Sequence, residues 1–341
     1  MAEPAPLVAT PQAPLPPRGA AEWFAGVDGA RLRAALFTPT GTARGSVVLS
    51  GGRSEPIEKY VEVIAELLGR GFAVLVHDWR GQGLSNRELP DRLKGHAKGY
   101  ETYLGDYKSL LDAFEPRLPK PWIALGHSMG GCLTLLALAK GAAARFAAAV
   151  LSAPMLGLHM PVPPGVASFL ARLSGFLGRS SAYCLNDAGK PFDDAFEGNR
   201  LTHDRKRFAR HRGQIAACPD LALGGPTWGW LDFALRAGAY LARPSSLRAV
   251  EIPVLICSAG ADRIVVNQAQ EAAVRALPDA RLVSVPGAFH EILMETDDKR
   301  AVFWAAFDRL ADDVAPARTA PVRLDRAPGA KPARAPRPPS A

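Results

Sequence analysis

The sequence predicts an α/β fold: a mostly parallel eight-stranded sheet with helices on both faces and an inserted helical cap. Three observations predict it. Short continuous apolar runs, such as SVVLS at 46–50 and AVLVH at 73–77, alternate with helix-length segments, as parallel strands buried on both faces do. The alternation stops near residue 155 and resumes near 250, an interval too long for a plain loop. Between them, 122–139 reads WIALGHSMGGCLTLLALA, a strand, a sharp turn and a helix.

Taken in order, residues 22–26 and 31–37 flank Asp28-Gly29, a hairpin signal that predicts an antiparallel pair at a sheet edge. Strands follow at 46–50, 73–77, 122–125 and 146–151, with helices at 60–68, 100–114 and from 133 to 139. In the insert, Val166, Phe169, Leu170, Leu173 and Leu177 recur at helical spacing. The rhythm then resumes as strand 254–258, helix 268–277, strand 281–285 and helix 299–310. The expected organisation is a core over 22–154 and 250–313 with a cap over 155–249.

Both ends differ from this core. Residues 1–21 hold six prolines and two charged residues, and 314–341 hold seven prolines and six Lys/Arg against one Asp. Such segments bury too little apolar surface to offset chain entropy, so both are expected to be disordered. The tail supplies five of the eight formal positive charges; it suits an anionic membrane surface, although a solvated tail is the simpler reading, and no specific nucleic-acid partner is expected. The sequence contains neither a basic n-region followed by an apolar h-region nor an uninterrupted membrane-length apolar run. Cys132, Cys184, Cys218 and Cys257 show no paired spacing. They read as reduced thiols and point to the cytoplasm; the basic tail adds the expectation of a peripheral place on the inner membrane face.

Ser128 lies at the apex of the turn, where glycines at 126 and 130 relieve crowding. The turn lifts its hydroxyl over the amino end of the next helix, where free N–H groups favour developing negative charge. A serine needs a base and the base needs an acid. Of seven histidines, His290 lies just after the last expected strand; Asp262 follows strand 254–258, and the rival position after 146–151 reads Ser152-Ala153-Pro154. The oxyanion is expected to meet the main-chain N–H of Met129 and, after Gly51-Gly52, that of Arg53.

These motifs (GHSMGG at 126–131, DWRGQGLS at 78–85, GADRIV at 260–265 and FHEIL at 289–293) resemble the α/β-hydrolase superfamily. GGRSE at 51–55, EKY at 58–60 and NRLTHD at 199–204 resemble, more closely, the lysophospholipase L2 and monoacylglycerol lipase group, often placed with serine aminopeptidase-like hydrolases. Monoacylglycerol lipases carry His-Gly where this chain has Gly51-Gly52. The resemblance implies hydrolysis of a single-chain lipid ester, with Ser128 attacking, His290 shuttling the proton, Asp262 orienting it, and no metal or organic cofactor.

Within the cap, Phe169, Trp228 and Trp230 are candidate acyl-chain residues, and Asp204 to Arg207 with Arg210 and Arg212 a candidate headgroup face; ordinary cap core and a solvated helix face are the plainer alternatives. A peptidase that holds a free amino group would need an acidic cluster, for which Asp187, Asp193, Asp194 and Glu197 are available. A catalytically silent binding module is the remaining alternative. The oligomeric state is left open.

Overall fold

A computed structural model describes residues 3–193 and 195–317. The sequence forms, in order, strands β1 (Glu3–Ala5), β2 (Gly19–Ala25), β3 (Arg31–Phe37) and β4 (Gly45–Ser50), helix α1 (Val61–Gly69), strand β5 (Phe72–His77), helix α2 (Tyr100–Phe114), strand β6 (Trp122–His127), helix α3 (Ser128–Ala139) and strand β7 (Ala148–Ser152). Helices α4 (Pro164–Phe176), α5 (Arg205–Ala217), α6 (Trp228–Leu241) and α7 (Pro244–Leu247) follow. The chain then forms β8 (Val254–Ala259), α8 (Asn267–Ala276), β9 (Ala280–Val285) and α9 (Asp297–Val314).

One sheet runs β1-β2-β3-β5-β4-β6-β7-β8-β9. The pairs from β5 through β9 are parallel, and β1, β2 and β3 join antiparallel. Every residue of β4, β5, β6, β7 and β8 is buried, which is why these strands read as unbroken apolar runs. The carboxyl ends of β4, β6, β8 and β9 point their following loops to one rim, where open α/β sheets gather ligands.

The sheet has nine strands rather than eight, and the amino-terminal segment supplies the extra one. Glu3, Pro4 and Ala5 pair with Trp23, Glu22 and Ala21, and β2 extends back to Gly19. Composition misleads over 1–21 because Pro4 sits in an edge strand and the other five prolines in its exit and the connection to β2, where a missing N–H costs little. Beyond β1, the Pro6 carbonyl accepts from Arg33 Nη1 at 2.9 Å and the Val8 N–H donates to Glu58 Oε1 at 3.1 Å. At the other end, α9 continues past the expected 310 to Val314, and Arg44 donates to the Ala311 carbonyl at 3.0 Å. The rest of the expected disordered tail, from 318, lies outside the described residues.

The four helices between β7 and β8 form the insert. The basic run on α5 is not a free face. Arg207 and Arg210 both bond Glu62 of α1, Arg207 also reaches Asp204 and Asp297, and Arg205 pairs with Glu197. Asp204 caps α5, accepting from Arg207 N at 2.9 Å. Of the cations expected to form a headgroup face or a solvated face, Arg207 and Arg210 instead tie insert to core, whereas Arg205 pairs within the insert and Lys206 is exposed.

Candidate active site

The turn from β6 into α3 is forced by sequence. Ser128 adopts φ 50°, a left-handed conformation unusual for a side-chain-bearing residue. A Cβ at Gly126 would stand 2.7 Å from Gly131 Cα, and one at Gly130 would collide with the Ser50 and Gly51 carbonyls. The packing therefore demands glycine at both places.

From this apex, Ser128 Oγ lies 2.8 Å from His290 Nε2, and His290 Nδ1 lies 2.7 Å from Asp262 Oδ2. The second Asp262 oxygen accepts the Ile264 and Val265 N–H groups at 2.8 and 3.0 Å. Burial would raise the Asp262 carboxyl, but the His290 hydrogen bond, its charge and these two amides outweigh it and hold the group below its ordinary value. The loop carrying His290 is fixed on both sides: buried Glu295 accepts the Phe289 N–H at 2.7 Å, and the Glu291 N–H donates to the Leu201 carbonyl of the insert at 2.8 Å.

Met129 opens the first turn of α3, where amides have no intrahelical acceptor. In the loop after β4, the Gly52 N–H is taken by Glu55 and the Ser54 N–H by Gln82 Oε1 at 2.5 Å. Arg53 sits between these two engaged amides, leaving its own as that loop's candidate oxyanion donor.

A cavity of about 390 Å³ opens over Ser128 and His290. Trp230 lines it, as do Met155, Leu158 and Ile215. Two expected acyl-chain residues do not. Phe169 is 64% exposed on the outer face of α4, and Trp228, two residues before Trp230, points about 200° around α6 from it. Conversely, His211 and Arg212 of α5 line the cavity. Burial pushes the His211 imidazole down to about 3, so it is neutral at pH 7.

In the wall of the cavity sits a buried charge cluster that no local sequence signal marked. Lys59 Nζ donates to Glu55 Oε1 at 2.8 Å and to Glu291 Oε1 at 2.6 Å, and Tyr60 OH donates to the other Glu55 oxygen. Glu291 adjoins His290, so the ammonium links the oxyanion loop to the base's loop. His127 stands 3.5 Å from Glu55 and donates its Nδ1–H to the Ser152 carbonyl at 3.0 Å; burial lowers it to about 4, leaving it neutral. The acidic residues offered for an amine site do not gather: Asp187 lines the cavity, Glu197 pairs with Arg205 outside it, Asp193 is exposed, and Asp194 lies outside the described residues.

A strained serine at a strand-to-helix turn, bonded in series to a histidine and an aspartate from later strand ends, is the arrangement of an α/β-hydrolase that uses a serine nucleophile on esters. The chain belongs to the serine aminopeptidase (S33) family, which residues 41–297 match. It is 32% identical over 295 residues to lysophospholipase L2 of Escherichia coli K12, covering 82% of this chain and 83% of that one. It is 27% identical over 283 residues to a monoacylglycerol lipase of Mycolicibacterium smegmatis, covering 81% and 91%. Among solved structures, a soluble variant of the Saccharomyces cerevisiae monoglyceride lipase superposes with a TM-score of 0.69 at 22% identity, covering 91% of this chain and 99% of that one. A thermostable carboxyl esterase from Bacillus coagulans gives 0.70 at 19%, covering 87% and 99%. At these identities the structural likeness concerns the fold.

Proposed function

We propose that this protein hydrolyses the carboxylic ester of a single-chain lipid, a lysophospholipid or a monoacylglycerol, through an acyl-enzyme on Ser128. The observation that carries the proposal is the unbroken hydrogen-bonded series Ser128–His290–Asp262 at the floor of a cavity that Met155, Leu158, Ile215 and Trp230 line alongside charged residues. His290 Nε2 takes the Ser128 proton as Oγ attacks the ester carbonyl, and Asp262 stabilises the imidazolium that results. The oxyanion meets the N–H groups of Met129 and Arg53. His290 then returns the proton to the departing glycerol oxygen, and a water activated by the same nitrogen releases the fatty acid.

The names of the lysophospholipase and monoacylglycerol lipase relatives support this substrate class. On the same reading, residues 155–249 act as a cap and the protein works in the cytoplasm at the inner membrane face. Supporting that are four unpaired cysteines and the exposed apolar residues Phe169, Phe176 and Leu177 on and after α4. Among the described residues no helix is long and apolar enough to cross a membrane.

The test is a panel of a short p-nitrophenyl ester, a lysophospholipid, a monoacylglycerol and a prolyl amide, assayed with the wild type and Ser128→Ala alongside fluorophosphonate labelling. The expected result is labelling and turnover of a lipid ester by the wild type, with turnover reduced roughly 10⁴-fold or more in the variant. A wild type that releases only proline from the amide, or that neither labels nor turns over any ester, overturns the proposal.

A further inference from the structure

The Arg53 side chain has no role in the ester chemistry above, yet it lines the same cavity. Its guanidinium is pinned. Nη2 donates to the Gly224 carbonyl of the insert, Nη1 lies 3.3 Å from Ser54 Oγ, Cζ lies 5.3 Å from the Trp230 ring centre, and a Cβ at Gly95 would stand 2.5 Å from Nη2. Its Nε–H is buried without an acceptor among the described residues. No carboxylate there pairs with it. Of the cavity's own carboxylates, Glu55 and Glu291 share Lys59, and Asp187 accepts the Gly189 N–H through Oδ1 at 2.8 Å and pairs with neither arginine. Burial pushes the guanidinium down to about 10, so it keeps its charge at pH 7.

Arg212 repeats the pattern from the insert. It lines the cavity, donates to the Pro191 carbonyl at 3.2 Å, stacks 5.0 Å from the Phe208 ring centre and leaves its Nε–H buried without an acceptor among the described residues. Among the described residues, two arginines without a carboxylate partner therefore face one space beside the nucleophile. The desolvation cost of such a charge is offset when an anion arrives, and guanidinium matches the geometry of phosphate.

The geometry points to Arg53, with Arg212, as the recognition site for the phosphate of the substrate headgroup, which selects lysophospholipid over monoacylglycerol. The inference rests on the ester-hydrolase reading and deepens it. Its spacing follows from covalent structure. The path from the Arg53 main-chain N to Cζ contains as many bonds as the path from the ester carbonyl carbon to phosphorus in a terminally acylated glycerol lysophospholipid. An ester carbonyl held at the Arg53 N–H thus places phosphorus within reach of the guanidinium on the same residue. One residue holds the reacting oxygen with its backbone and reads the headgroup with its side chain; in that second role it is a specificity residue.

The test compares kcat/KM of the full chain for lysophosphatidylcholine and for a monoacylglycerol of the same acyl length, in the wild type, Arg53→Gln and Arg212→Gln. The ratio of the two constants is expected to fall about tenfold to a hundredfold in Arg53→Gln and by a smaller factor in Arg212→Gln, as charge-assisted hydrogen bonds are lost. A ratio that stays within about threefold of the wild type in both variants overturns the inference, as does a wild type that hydrolyses only the monoacylglycerol; either leaves the hydrolase reading standing. A wild type inactive on every ester sinks that reading itself. Should Arg53→Gln fail to fold, inhibition of wild-type p-nitrophenyl ester hydrolysis decides. Dodecyl phosphate is expected to inhibit at least about tenfold better than dodecanol. Equal inhibition by the two overturns the site, and inorganic phosphate competing as well as dodecyl phosphate overturns its assignment to a lipid headgroup.

Discussion

Arg207 on α5 holds Glu62 on α1 by two near-parallel hydrogen bonds, Nε to Oε2 at 2.9 Å and Nη2 to Oε1 at 2.7 Å. Arg210 adds a third to the same carboxylate at 2.6 Å, and Arg300 of α9 stands 3.4 Å away. The insert is fastened to the core at this point, far along the chain from either end of the insert. Burial alone would raise the Glu62 carboxyl, but the Arg207 and Arg210 hydrogen bonds and the Arg300 charge bring it to about 2 against an ordinary 4.5. Because the folded value is the lower one, Glu62 contributes its stability in full above the ordinary value and loses it as pH falls from about 4.5 towards about 2. Glu62→Gln is therefore expected to lower stability by about 2 kcal/mol at pH 7, and the gap to wild type should close as the pH is lowered through that window. Thermal melts at stepped pH check it, and a gap that widens in acid would sink the assignment.

Asp262→Asn removes the charge that faces His290 while keeping the shape of the side chain. With the amide in place, kcat on a lipid ester is expected to fall roughly 10⁴-fold with KM little changed, because the histidine loses the partner that fixes its tautomer and steadies its protonated form. Steady-state kinetics test this, and a variant within about tenfold of wild-type kcat would remove Asp262 from the proposed series.

Lys59 is 4% exposed and is shared by Glu55 and Glu291. Lys59→Met strands both carboxylates in a dry site, and the expected cost is about 3–5 kcal/mol of stability. Urea unfolding followed by tryptophan fluorescence gives the figure. A loss under about 1 kcal/mol would mean that the two carboxylates find other partners or stay hydrated.

Gly130→Ala drives a methyl group into the Ser50 and Gly51 carbonyls. A destabilisation of about 3 kcal/mol or more is expected, with loss of fluorophosphonate labelling because the serine turn must shift. Gly213→Ala is the matched control: it lies inside α5 with nothing within 4 Å of a built Cβ, and it should stabilise by about 0.5–1 kcal/mol. Equal unfolding midpoints for the two variants would contradict the crowding argument.

The elements that meet at Ser128 are legible in the sequence because their signals are local. Apolar runs mark the buried strands, Gly126 and Gly130 mark the turn, and Asp262 and His290 each lie a few residues beyond a strand end. What escaped is carried by pairs distant in sequence. Lys59 and Glu291 are 232 residues apart, and Arg207 and Glu62 are 145 apart, so Arg207 and Arg210 read as part of a surface although Glu62 already matches them. Helical phase explains the aromatic residues: Trp230 turns inward, whereas Phe169 shares its face of α4 with other exposed apolar residues. Proline content misread 1–21 because composition counts residues and ignores the edge on which they lie.

That amino-terminal segment has a reach beyond its length. Pro6 and Val8 close over Arg33 and Glu58, both fully buried, and Arg33 in turn bonds Asp78 at 2.7 Å. Asp78 accepts the Ile57 N–H at 2.9 Å and the Leu84 N–H at 2.9 Å, so it braces the segment that begins with Arg53 and leads to Lys59. A chain shortened to start at residue 22 would keep every group around Ser128 and still let water into the brace behind them. The first stretch of the chain is a keystone seated from outside, and the support behind the oxyanion loop passes through it.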